Sequence, residues 1–175
     1  MRHVVLAALL FLLPATAAHS DTKERIDEGV ERSLKWLGET RETQRMVQRA
    51  KGILIFPDVI EMGFGVGGEF GEGALVEGGR ITAYYATAGK EFGMPDDSPF
   101  KAEAVFFFSE SSLTSFNQIR SWRPARHGEI RVVDNPSEIM DALRDKDPIV
   151  GLIFTEDGIV GGLDMATDRI TKIIR

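Results

Sequence analysis

Apolar positions along the chain change their period near Gly52. Between Asp21 and Ala50, Ile26, Val30, Leu34 and Leu37 recur at spacings of four, four and three, which places one apolar stripe along a helix. The "DTKE" that opens it offers Asp21 as N-cap with Glu24 three residues on, a capping-box arrangement, and Gly38 is placed to end it. Thr40 is the N-cap expected for a second helix running to Ala50 with Met46 and Val47 inward.

From Gly52 onward Gly, Val, Ile and Phe dominate and the helical period disappears, so the rest reads as mainly strand. "GILIF" (52–56) reads as a buried strand that ends before Pro57. In "ALVEGGRITAYYATA", Gly78 and Gly79 separate two strand-like runs as a two-residue hairpin turn does. "AEAVFFFSE" is too apolar for an edge strand wetted on both sides. A short helix over Ser112 to Ile119, a strand at "EIRVVD" and a helix at "SEIMDALR" follow. Two strands about Asp157-Gly158 come next, and "DRITKIIR" is a strand placed to close the sheet. The pattern predicts an α+β fold with N-terminal helices packed on a curved, mainly antiparallel, barrel-like β-sheet.

"MGFGVGGEFGEG" (62–73) contains six glycines, and Gly63, Gly65 and Gly68 fit the G-x-G-x-x-G template. A phosphate cradle requires a helix to open directly out of those glycines, because its first amides and its dipole hold the phosphate. Gly71 and Gly73 follow instead, and they disfavour a helix. The glycines therefore read as geometry: bare backbone at bends, bulges or close approaches of a strongly curved sheet. "GILIFPD" and "GLIFTED" (151–157) look alike and are each followed by glycines, a weak internal echo.

The first residues, "MRHVVLAALLFLLPATAAHSD", have a basic start, an apolar run from Val4 to Leu13 and the small residues Ala15, Thr16 and Ala17. This is the layout of a secretory signal, expected over residues 1–18, with one domain over 19–175. The run is too short for a membrane span, which needs about 20 residues. The expected location is periplasmic or secreted, after cleavage.

Absence of cysteine excludes thiol catalysis, thiolate metal sites and disulfides. With the leader removed, His127 is the one interior histidine, in "RPARHGE", and no nucleophile-elbow sequence accompanies it. No D-x-D-x-D-G calcium loop occurs, and sequence spacing pairs no two carboxylates as acid and base. No catalytic residue, metal or cofactor is expected, and a carboxylate-dependent hydrolase is the remote alternative. Formal net charge is −6, and −7 without Arg2, which argues against nucleic acid as a partner.

"AKGILIFPDVIEMGFGVGGEFGEGALV", then the Tyr84-Tyr85 pair and the Phe92-Gly93 step, then "VGLIFTEDGIVGGLDM", resemble the SYLF domain family in the same order, over Lys23 to the C-terminus. The resemblance implies a compact α+β lipid-binding module with no catalytic residues. Eukaryotic SYLF proteins bind phosphoinositides and some bundle actin through basic N-terminal segments, whereas bacterial relatives are typically exported envelope proteins. This chain is acidic and mixes eight basic with seven acidic residues between Asp21 and Lys51. A general anionic phospholipid such as phosphatidic acid or cardiolipin is therefore the expected partner.

Two local clusters oppose the negative total, since a headgroup feels charges within a Debye length of ~8 Å. Arg41, Arg45 and Arg49, extended by Lys51, line one face of the second helix. Arg120, Arg123, Arg126 and His127 surround Trp122 and Pro124 in "IRSWRPARHG". Guanidinium groups bond phosphate bidentately and an indole favours the headgroup boundary, so Arg120, Trp122, Arg123 and Arg126 are the leading lipid-binding candidates. Trp36 beside Lys35 and Arg32 is a third candidate. A protein partner engaged through the N-terminal helices or a sheet edge is the competing reading.

Overall fold

The computed structural model describes residues 21–61, 68–90, 100–166 and 168–175. The proposed leader, Gly63, Gly65 and the Phe92-Gly93 step lie outside them.

Helix α1 spans Lys23–Leu37 and α2 spans Arg41–Arg49. Thr22, not Asp21, caps α1, its hydroxyl accepting from the Arg25 amide at 3.3 Å. Asp21 instead gives its amide to Glu72 Oε2 at 3.1 Å, a tertiary contact that local spacing could not reveal. Thr40 caps α2 as expected.

The strands are β1 (Gly52–Glu61), β2 (Glu69–Glu77), β3 (Arg80–Gly89), β4 (Phe100–Phe107), β5 (Ser121–Trp122), β6 (Arg131–Val133), β7 (Ile149–Thr155), β8 (Gly158–Ile159) and β9 (Arg169–Ile173). Between them lie α3 (Glu110–Asn117), the single turn α4 (Pro124–His127) and α5 (Pro136–Asp145). They form one sheet in the order β5-β9-β3-β2-β1-β4-β7-β6, with β8 paired to β7, curled into a half-barrel. Every pairing is antiparallel except β6 with β7, which α5 joins as a crossover. The final strand, β9, pairs with β3 and does not close the sheet; among the described residues β5, β6 and β8 lie at the edges, and their shortness limits the unpaired backbone offered to other chains.

Pro57 does not end β1. The strand runs through it by shifting register, between Phe56 and Val59 against β4 and between Ile55 and Ile60 against β2. A bulge accommodates the missing amide and sharpens the local twist. The look-alike strands β1 and β7 flank β4 on either side.

Alternation along the strands feeds two separate cores. Ile53, Ile55, Ala104, Phe106, Leu152 and Phe154 pack on a first face with Ile26, Val30 and Leu37 of α1, Met46 of α2, and Ile139 and Leu143 of α5. Leu54, Phe56, Leu75, Tyr85, Val105 and Phe107 pack on the second face with Leu113 and Phe116 of α3, Trp122 and Met165. Tyr84 Oη donates to Asp27 Oδ1 at 2.7 Å, and Trp36 stacks on Phe154 with centroids 4.4 Å apart, fixing α1 to the sheet.

Gly78 and Gly79, at φ 57° and 77°, make the β2–β3 turn with both residues left-handed. At Gly73 the demand is steric: a Cβ there would lie 1.9 Å from the Ile55 carbonyl oxygen and 2.8 Å from Phe56 Cδ1. The curl needs β2 to be bare at that point. Gly73→Ala is expected to lose about 3 kcal/mol or more of stability by overpacking. Gly78→Asn, which keeps the left-handed turn, is expected to lose less than about 1 kcal/mol; urea unfolding of both variants checks the contrast.

Candidate functional site

The arginines singled out by sequence fall into two groups on opposite sides of the sheet. Helix α2, which carries Arg41, Arg45 and Arg49, buries Met46 on the first face. Arg41 and Arg49 are exposed, whereas Arg45 is half-buried, with Nη1 3.5 Å from Met140 Sδ on α5. Lys51, which extends the stripe, is paired with Glu110 at 3.4 Å.

Arg120, Arg123 and Arg126 are all exposed, on the segment that runs from α3 through β5 to α4. Trp122 is not at a boundary. Its ring is 1 % exposed and packs edge-on against Phe116 at 5.7 Å, because β5 pairs with β9 and turns that side chain into the second core. The indole anchors the segment and does not face a headgroup. His127 closes α4 by accepting from the Arg123 amide through Nδ1 at 3.0 Å. Beside this turn is a groove of about 450 Å³ bordered by Arg126, Ala125, Ile130, Val132, Met165 and Ala166, with Glu129 and Asp164 also on its wall. Among the described residues, none of the six candidate arginines forms an ion pair. Trp36, Lys35 and Arg32 border a separate cleft of about 390 Å³ with Glu39, Asp58 and Glu156, so its charge is mixed.

Sequence reasoning missed a buried ionic cluster on the second face. Glu69 begins β2, Lys101 and Glu103 lie near the start of β4, and Asp168 precedes β9; each is at most 2 % exposed. Lys101 Nζ is 2.7 Å from Glu69 Oε2 and 3.1 Å from Glu103 Oε1. One carboxylate oxygen from each of Glu69, Glu103 and Asp168 lies within 4.8 Å of the others. Gly89 lets two of the acids converge: a Cβ there would lie 2.6 Å from Glu69 Oε1 and 2.8 Å from Asp168 Oδ1. Lys101 and Glu103 alternate with apolar residues that face the first core, a pattern that by itself reads as a solvated strand face.

Burial pushes Glu103 up to about 7, helped by the charge of Glu69 and opposed by Lys101. Burial also pushes Asp168 up to about 10, with the charges of Glu103 and Glu69 adding to it. For Lys101 burial works against the ammonium, but Glu103 and Glu69 outweigh it and hold its value above that of an ordinary lysine.

No protein-family model matches the chain, and no curated protein matches it.

Removing the internal cation by Lys101→Met is expected to destabilise the fold by about 3–5 kcal/mol, since it leaves buried carboxylates without their counter-charge; urea unfolding measures this. The pH dependence has a definite sign. Between its ordinary value of 4.5 and its folded value of about 7, Glu103 holds a proton in the native state that the unfolded state has released. Raising the pH through that window therefore favours unfolding. Relative to wild type, Glu103→Gln is expected to gain stability as the pH rises from about 5 to 7, as followed by thermal unfolding in EDTA-containing buffer.

Proposed function

We propose that the protein is a non-enzymatic phospholipid-binding module of the SYLF type that acts at the cell envelope after export and binds anionic headgroups reversibly. The observation that carries this reading is the α3–β5–α4 segment. Three exposed arginines with no carboxylate partner among the described residues lie along a stretch of seven residues, and Arg126 borders the groove formed with Ile130, Val132 and Met165. Guanidinium groups at the rim of an apolar surface suit a phosphate above and acyl carbon beside it. Anchorage of the segment through Trp122 and Pro124, both buried, limits the entropy lost when the arginines engage a surface. The fold agrees with that implied by the family resemblance: helices preceding a curled antiparallel sheet. No helix among the described residues is long and apolar enough to cross a membrane.

The scaffold alternative has less support, since the apolar stripe of α1 is already covered by the sheet and the edge strands are short. A hydrolase built on Glu69, Glu103 and Asp168 lacks access, as those side chains are covered to 98 % or more. In the lipid reading, Arg120, Arg123 and Arg126 contact phosphate, Trp122 supports them from below, and Arg41, Arg45 and Arg49 are a separate surface.

Arg120→Glu with Arg123→Glu is expected to weaken flotation with phosphatidic acid or cardiolipin vesicles by roughly 30-fold or more, at about 1 kcal/mol for each basic residue lost. Far-UV circular dichroism is expected to stay native. Undiminished flotation of the double variant rejects the site, and flotation lost only on Arg41→Glu with Arg49→Glu transfers it to α2.

A further inference from the structure

Among the described residues, the buried cluster holds more acceptor oxygens than donors. Glu69 Oε2 and Glu103 Oε1 face the Lys101 ammonium, but among the described residues Glu103 Oε2 and both oxygens of Asp168 receive no hydrogen bond. Thr87 Oγ1, fully buried and on the same face of β3 as Tyr85 and Gly89, also has no partner among the described residues. Glu69 and Asp168 are thus acceptors drawn together over Gly89, and such a pair needs either a shared proton or a cation between its oxygens. With all three carboxylates ionised, the Lys101 ammonium would leave two negative charges in a buried site. A net buried charge of that size is strongly disfavoured unless neutralised.

We propose that Glu69, Glu103 and Asp168 form a structural site for a hard divalent cation, Ca²⁺ in the first instance. The donors are all oxygen, which selects Ca²⁺, Mg²⁺ or Mn²⁺ over softer metals. Opposed oxygens around Ca²⁺ stand about 5 Å apart, twice a bond of roughly 2.3–2.6 Å, and the three carboxylate oxygens fall within 4.8 Å of one another. A divalent ion also cancels the two residual charges. Its ligands come from β2, β4 and the residue before β9, so it ties together strands far apart in sequence at one end of the curled sheet. Enclosure of the site means that the ion enters as the sheet closes. This site is distinct from the lipid surface and does not depend on that reading.

The test is to unfold the full chain in urea with EDTA and refold it in excess Ca²⁺, Mg²⁺ or Mn²⁺. Loose metal is then removed by gel filtration, and metal content and thermal midpoint are measured. Wild type is expected to retain roughly one equivalent of Ca²⁺ and to melt several degrees higher than protein refolded in EDTA. Asp168→Asn, which replaces the carboxyl with a neutral group of the same shape, is expected to fold and to retain less than about a tenth of that Ca²⁺. Mn²⁺ bound to wild type is expected to show the broadened spin-resonance spectrum of a protein-held ion, a readout that needs no variant. Wild type that retains none of the three metals overturns the proposal in favour of a shared proton, and equal Ca²⁺ retention by Asp168→Asn overturns the assignment of its ligands.

Discussion

The fold depends on how closely β1 and β2 approach each other where β2 has no side chain. At Gly73 the Ile55 carbonyl occupies the space a Cβ would need, so the two strands close there in a way no other residue permits. Beside it β1 carries its bulge at Pro57 and Asp58, which changes the register on both sides. Together these features curl the sheet. A flat sheet with the same alternation would pack its helices but would not draw together the ends of β2 and β4 and the residue before β9.

The curl has an electrostatic consequence. Strand positions that point into the second core are Leu75, Val105 and Phe107 toward one end, but Glu69, Lys101 and Glu103 toward the other. The same face of the same strands thus passes from hydrocarbon to buried charge. Such charges persist only if they neutralise one another, and Lys101 does so for the two carboxylates it touches. Asp168 is tolerated because burial and its acidic neighbours keep it protonated, or because a cation takes the place of that proton. Either way the cluster couples chain segments whose apolar contacts alone would be sparse at that end.

The sheet also separates the basic surfaces. Because α2 is anchored on the first face and the Trp122 segment on the second, their arginines do not merge into one patch, and an anionic surface engaging one group meets the protein in a different orientation from the other. Under the proposed lipid reading, an acidic chain favours a local contact, at three guanidinium groups beside a groove, over a broad one.

Period and punctuation in the sequence determined α1, α2, α3 and α5, the Gly78-Gly79 hairpin, the interior place of β4 and the α+β class, because these follow from local propensity and from which positions are apolar. The clustering of the arginines was also legible, since their spacing is read directly along the chain. Burial of Trp122 was not legible: an aromatic among arginines reads the same whether its strand turns it inward or outward, and only pairing of β5 with β9 decided that. The continuation of β1 through Pro57 was hidden for a similar reason, since a bulge is defined by the neighbouring strands. Tertiary structure alone decided the ionic cluster. Glu69, Lys101, Glu103 and Asp168 come from three separated stretches, and their mutual attraction acts only once the curled sheet has brought them together and shut out water.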